Sequence, residues 1–169
     1  MVDLHTHILP EIDDGSDGVD TSLAMLHREA EQGVDVVCAT SHYYAHHEGI
    51  DAFCARRAEA LERLAAVLTD GLPRVLPAAE VAYFPRMEEQ DLTPLCIQGT
   101  RTLMLEMPFA DWTSLQTEAV EALALDCGYQ VVLVQPERFC FSKSNKHRLE
   151  KLAELPIGLQ INAGSLLRW

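Results

Sequence analysis

Short apolar runs alternate along the chain with stretches whose apolar positions recur at helical spacing. "VDLH" (2–5) opens as a strand. "DTSLAMLHREAEQG" (20–33) reads as a helix with Asp20 or Thr21 as its cap. Its apolar face carries Leu23, Leu26 and Ala30, and Gly33 stops it. "VDVVCATSH" (34–42) is a valine-rich buried strand. "IDAFCARRAEALERLAAVLTDG" (50–71) predicts a long helix, with Phe53, Arg57, Leu61, Leu64 and Leu68 along one stripe and Gly71 at its end.

"RVLPAAE" (74–80) is a strand that Pro77 interrupts. "RTLMLEMP" (101–108) and "YQVVLVQP" (129–136) are strands on either side of the helix "TSLQTEAVEALALDCG" (113–128), capped by Thr113 or Ser114. A short helix, "KSNKHRLEKLAEL" (143–155), and a last strand, "IGLQINAG" (157–164), follow. This βα alternation predicts an α/β fold of about six parallel strands, open or closed into a barrel, within one domain over 1–169.

In parallel α/β folds, chemistry gathers at the C-terminal ends of the strands. The predicted strands place His5 and His7 there, then His42, Glu80, Glu106 and Gln135, with Glu137 and Arg138 just beyond and Asn162 at the last. Residues two apart on a strand face the same side, so both imidazoles of H-x-H can reach one metal ion. A carboxylate closing an apolar run such as "TLMLE" is costly unless it is paired or holds a cation. The recurrence of imidazole and carboxylate at one edge points to a metal centre. Asp13 and Asp14, in "DDG", also fit a turn. His46 and His47 read as solvated loop residues, and His27 and His147 as helix-surface groups.

The net charge of −13 over 169 residues argues against a nucleic-acid backbone or an anionic membrane surface as partner. It leaves an anionic substrate open, because bound cations can reverse the field locally. The five cysteines include no C-x-x-C pair and sit mostly in apolar runs, which predicts free thiols in a reducing cytoplasm. Neither a secretory leader nor a membrane-length apolar run is evident.

The blocks "DLHTHILPEIDDG", "SLAMLHREAEQGVDVVCATSHYY", "LPAAEV", "LMLEMPF", "GYQVVLVQPERF" and "INAGSL" occur in this order. Together they resemble the PHP-type (polymerase and histidinol phosphatase) bacterial protein-tyrosine phosphatases of capsular and exopolysaccharide loci. The resemblance implies a distorted β/α barrel holding up to three divalent ions, commonly Mn2+. It implies hydrolysis of phosphotyrosine by a metal-activated water, typically on the tail of a bacterial tyrosine kinase.

Carried over by motif, His5 and His7 would ligate one metal with Glu80. Glu80 would bridge to a second metal with Glu106, and Asp14 and His42 would hold a third. Arg138, in "PERF", would contact the phosphate and serve the transfer. No Cys-x5-Arg loop of the cysteine phosphatases is present. Tyr43, Tyr44 and Phe84 follow two of the strands and are candidates to line a slot for a phenyl ring, or to pack under the loops.

Two departures from the family pattern stand out. Gln135 occupies the position of a metal-ligating histidine, and a neutral amide oxygen is a poorer ligand for transition metals. The pattern also runs on beyond Trp169, through a helix to a closing strand with an Asp-x-His pair. On that reading the barrel is incomplete, with an open edge through which copies could pair. Two alternatives to the phosphatase reading follow. One is an impaired, truncated paralogue that binds phosphotyrosine or a partner; the other is a PHP phosphoesterase of different substrate.

Overall fold

The structure is a computed structural model that describes residues 1–139 and 142–166, with Leu166 described in its backbone only. It contains six strands: β1 (Val2–Thr6), β2 (Val36–Tyr43), β3 (Arg74–Ala82), β4 (Thr102–Glu106), β5 (Gln130–Val134) and β6 (Gly158–Gln160). The helices are α1 (Val19–Glu31), α2 (Ile50–Ala65), α3 (Ser114–Leu125), α4 (Lys143–Leu152) and a final turn, α5 (Ala163–Leu166). The expected α/β alternation of about six strands is therefore present. Among the described residues, no helix is long and apolar enough to cross a membrane.

Contacts divide the chain into two compact units. The first comprises Met1–Glu80 with Ile97–Gly99, and the second comprises Val81–Cys96 with Thr100 onward.

In the first unit the strands lie in the order β1-β2-β3, with β1 parallel to β2. Leu26 of α1 and Phe53 and Leu64 of α2 are fully buried. Burial of each such side chain is worth about 1.5–3 kcal/mol. The helix boundaries depart from the sequence expectations. Gly18, not Asp20 or Thr21, is the N-cap of α1, and it supplies no side-chain hydrogen bond. The helix starts two residues earlier than an Asp20 cap implies: the Ser22 amide donates to the Gly18 carbonyl at 3.0 Å, and the buried Ser22 hydroxyl lies 2.8 Å from that of Ser16. α2 ends at Ala65, well short of Gly71, and Leu68 is only half-buried. Arg57, in the predicted apolar stripe, is half-buried and donates from Nη1 to the Ala78 carbonyl at 2.9 Å.

In the second unit β4, β5 and β6 lie in that order, all parallel. α3 has the expected cap: the Thr113 hydroxyl accepts from the Gln116 amide while the Gln116 side chain accepts from Thr113 N–H. Both orphan donors are satisfied reciprocally. β6 is shorter than the alternation implied, spanning only Gly158–Gln160.

Asn145 of α4 is fully buried and acts as a polar staple. Its Oδ1 accepts from Trp112 N–H at 2.8 Å, and its Nδ2 donates to the carbonyls of Ala110 at 2.9 Å and Phe139 at 3.1 Å. Asn145→Ala is expected to cost about 3 kcal/mol, because buried backbone groups lose their partners and cannot reach water. Urea unfolding checks this. A loss of stability too small to move the midpoint would show that those groups find other partners.

Candidate metal centre

The first unit brings five of the predicted ligands together. His5 lies on β1 one residue before its end at Thr6, at an irregularity of the β1–β2 register between Asp3 and Thr6. There the Thr6 amide donates to Thr40 Oγ1 at 2.9 Å, and the Asp3 carboxylate accepts from His5 N–H at 3.0 Å. Such an irregularity re-aims the side chains beside it. His42 stands near the end of β2 and Glu80 on β3.

Glu80 is fully buried, and three imidazoles converge on its Oε2. His5 Nε2 lies at 2.9 Å, His7 Nε2 at 3.0 Å and His42 Nδ1 at 3.4 Å. Its other oxygen, Oε1, is buried and has no hydrogen-bond partner among the described residues, and the same holds for His42 Nδ1. A buried carboxylate oxygen left so is costly unless a cation takes it.

The loop between β1 and α1 completes the cluster. Asp14 Oδ1 stands 3.6 Å from His42 Nε2. The donor atoms of His5, His7 and Glu80 form one group within 4.8 Å of each other, and those of His7, Asp14 and His42 form a second. His7 thus belongs to both. Mixed imidazole and carboxylate donors at this spacing fit a divalent transition metal.

Asp13, whose "DDG" context also fits a turn, is the organiser of this loop. Its Oδ2 takes His7 Nδ1 at 2.8 Å and the His42 amide at 2.9 Å, while Oδ1 takes the Gly15 amide at 3.1 Å. A carboxylate on the far nitrogen fixes the tautomer and orientation of a ligating histidine. The available signal was the spacing of an acidic pair shortly after H-x-H, but "DDG" cannot say which carboxylate turns inward.

Gly15 is required for a different reason than a turn. A Cβ there would lie 2.3 Å from both Cβ and the carbonyl oxygen of His7. Two arginines of α2 hold the loop from outside: Arg56 Nη1 donates to the Ile12 carbonyl at 2.6 Å and Arg63 Nη2 to that of Pro10 at 2.7 Å.

The electrostatics follow from this crowding. Burial works to lower the His7 pKa, but the hydrogen bonds and charges of Asp13 and Glu80 prevail and raise it to about 10. Burial works to raise Glu80, yet His5 and His7 hold it down at about 2. Asp13 is likewise held below the usual carboxylate range by His7 against the effect of burial. Burial lowers His42. At neutral pH the metal-free cluster therefore holds His7 protonated against ionised Asp13 and Glu80, and a divalent ion binding there would displace the His7 proton.

A cleft of about 340 Å3 opens beside Asp14 and His42, lined also by Tyr44, His47 and Arg56. Tyr44 stacks on the His42 ring at 5.2 Å between centroids. Tyr43 is buried and meets Phe53 edge-on at 5.3 Å, as alternation along β2 dictates. His46, His47, His27 and His147 are exposed.

The second unit carries the remaining predicted residues. Glu106 is buried at the end of β4, and its carbonyl accepts from the Tyr83 amide at 2.8 Å. Phe84 is half-buried. Gln135 is buried just beyond β5, and its side-chain oxygen accepts from Arg138 Nη1. Cys38, Cys96 and Cys127 are free thiols, and burial pushes Cys38 and Cys96 up to about 11. Cys140 lies outside the described residues.

Comparison with known proteins gives the centre its context. The sequence profile of the family described as capsular polysaccharide synthesis, CpsB/CapC, matches residues 1–168. The chain is 31% identical over 172 residues to the tyrosine-protein phosphatase YwqE of Bacillus subtilis (strain 168), covering 98% of this chain and 66% of that protein. It is 25% identical over 177 residues to the tyrosine-protein phosphatase CpsB of Streptococcus agalactiae, covering 99% of this chain and 70% of that one.

A solved structure from work on YwqE of Bacillus subtilis and CpsB of Streptococcus pneumoniae, described as unique metal-dependent tyrosine phosphatases, matches with a TM-score of 0.80. Its sequence is 28% identical, and the match covers 98% of this chain and 68% of that one. The chain thus spans about two thirds of the length of these relatives. A profile match over residues 1–168, essentially the whole chain, places it in the CpsB/CapC family of capsular polysaccharide synthesis.

Proposed function

We propose that this chain hydrolyses phosphotyrosine in protein with the help of divalent ions held by His5, His7, Asp14, His42 and Glu80. The observation that carries this reading is the convergence of three imidazoles on one fully buried carboxylate whose second oxygen has no hydrogen bond among the described residues. The relatives' names, both tyrosine phosphatases, supply the reaction class. Mn2+ is the metal proposed, as the family resemblance implies, and the carboxylate donors of the cluster suit it. Divalent ions there would supply Lewis acidity, making a hydroxide nucleophile available at neutral pH and neutralising phosphoryl charge.

The chain's own residues do the rest. Asp13 holds the His7 ring by its Nδ1, which would leave Nε2 for a metal, and Glu80 holds the three rings in place through its charge. Arg138 is proposed, from its motif, to bind the phosphoryl oxygens through charge-assisted hydrogen bonds. Glu106 and Gln135 are carried as ligand candidates on the same basis. The partner proposed is the phosphotyrosine tail of a bacterial tyrosine kinase, met in the cytoplasm; the free thiols support that compartment.

Phosphate release from phosphotyrosine and phosphoserine peptides tests the proposal. Turnover of the phosphotyrosine peptide is expected, lost on chelation and regained with Mn2+. Folded protein that releases no phosphate at any Mn2+ concentration would overturn it. A preference for sugar phosphates would instead favour a different phosphoesterase.

A further inference from the structure

The two groups of candidate ligands in the first unit stand on different supports. His5 and Glu80 lie on β1 and β3, so strand pairing sets the group they form with His7. The group of His7, Asp14 and His42 takes Asp14 from the loop between β1 and α1, and His42 from the end of β2, where the chain turns toward α2. Asp14 Oδ1 and His42 Nε2 stand 3.6 Å apart, and the Asp14 side chain is 82% exposed, so packing alone does not fix that spacing. It depends on how two loops are held against each other.

Arg56 of α2 reaches both loops. Its Nη1 donates to the Ile12 carbonyl at 2.6 Å, just ahead of Asp13 and Asp14. Its Nη2 and Nε face the two carboxylate oxygens of Glu48, the latter at 3.5 Å. Glu48 belongs to the turn beyond β2. The His47 and Glu48 amides both donate to the Tyr44 carbonyl, at 2.9 and 3.4 Å, and Tyr44 stacks on His42. The Arg56 guanidinium also lies over the ring of the fully buried Phe53, 5.7 Å from its centroid. Ile12, Glu48 and Arg56 line the same cleft as Asp14 and His42.

We propose that Arg56 is a positioning residue that latches the Asp14 loop to the turn beyond His42, and so sets the affinity for the ion of the His7, Asp14 and His42 group without touching that ion. This role rests on the divalent-ion reading of the cluster and adds a control over one ion separate from the other. A guanidinium suits it, because a planar fork serves a carboxylate and a carbonyl at once from one fixed geometry. Glu48 also cancels a charge that would otherwise repel a cation in the cleft.

Arg63 provides the contrast. It lies two turns further along the same helix face and bonds the Pro10 carbonyl at 2.7 Å and Glu11 at 2.9 Å. Both of these partners lie in the β1–α1 loop, so those bonds support one loop without tying it to the other.

Mn2+ titration of the metal-free protein, read by calorimetry and by metal content per chain, tests the latch without requiring turnover. The wild type is expected to take a tighter ion at the buried Glu80 and a weaker one beside the exposed Asp14. Arg56→Met should weaken the second ion about tenfold and leave the first within about twofold. The sign of the change separates two causes. Were Arg56 acting by charge alone, Arg56→Met would tighten the second ion and Arg56→Lys would leave it unchanged. On the latch both substitutions weaken it, because neither side chain can hold Ile12 and Glu48 together. Arg56→Lys also carries the test if Arg56→Met does not fold. Glu48→Ala should weaken the same ion, and the double variant should be no weaker than Arg56→Met alone. Arg63→Met should leave both ions in place.

A second ion bound as tightly or more tightly by Arg56→Met overturns the latch. So does equal weakening of both ions, the same selective loss in Arg63→Met, or a wild type that takes up no second ion. If the ions respond as expected but phosphotyrosine peptides are not hydrolysed, the phosphatase reading fails and the latch stands.

Discussion

Glu80→Gln is expected to reduce turnover of a phosphotyrosine peptide by about 1000-fold or more at any Mn2+ concentration. The substitution keeps the shape of the side chain and removes its charge. In the native protein Oε2 faces three imidazole nitrogens within 3.4 Å, and Oε1 lies buried with no hydrogen bond among the described residues. An amide would turn either a neutral oxygen or an NH2 group toward those nitrogens. The neutral oxygen is a weak ligand for a divalent ion, and the NH2 group is none.

The charge also organises the free protein. Glu80 helps to raise His7 to about 10, and the histidines hold Glu80 at about 2, so each stabilises the ionised form of the other. The measurement is initial rate together with metal content per chain. A Glu80→Gln protein that retains both within tenfold of wild type would mean that the ions are held elsewhere.

Asp13→Asn is expected to weaken Mn2+ binding by about 10–100-fold, the range typical of carboxylates that orient ligating histidines. One carboxylate here serves three partners: His7 Nδ1, the His42 amide and the Gly15 amide. An asparagine has a single acceptor oxygen, so its NH2 group must face a backbone donor or a ring nitrogen. Either choice releases His7 or the loop. Competition against a chelating dye reads the affinity, and rates at saturating Mn2+ read what remains of the centre. Because Asp13 acts through His7, saturating metal should restore part of the rate, which it should not do for Glu80→Gln. Equal metal affinity in Asp13→Asn and wild type would reduce Asp13 to a turn residue.

The order of strands and helices was legible because it depends on local periodicity. Valine-rich runs became β2 and β5, and the amphipathic stretches became α1 to α4. Boundaries were less legible. The Asp20 and Thr21 side chains suggested a cap that Gly18 took, two residues before Asp20, where Ser22 is buried with its hydroxyl against that of Ser16. α2 stopped at Ala65 although its pattern ran on to Gly71, because the apolar positions after Leu64 find little to pack against. Pro77 did not break β3, which continues to Ala82.

At the candidate centre, residue type was legible and partnership was not. Histidine and carboxylate at successive strand ends, two of them spaced as H-x-H, pointed to His5, His7, His42 and Glu80. These positions follow from the pleat and from the rule that strand ends collect chemistry. Tyr43 and Tyr44 could not be ranked from their sequence, but the alternation of β2 sends Tyr43 into the core against Phe53 and leaves Tyr44 on His42.

What the sequence determined by itself is the alternation of elements, the types of ligand at their ends and the family pattern that orders them. Those features arise from residues near each other in the chain. The tertiary structure alone decided that three imidazoles share one oxygen of Glu80, that Asp13 rather than Asp14 braces His7, and that Gly15 must lack a side chain. It also decided that the Gln135 oxygen engages Arg138. Each of these depends on where a side chain points and what approaches it once the chain has folded, often from partners dozens of residues away, and short-range sequence patterns carry no record of that approach.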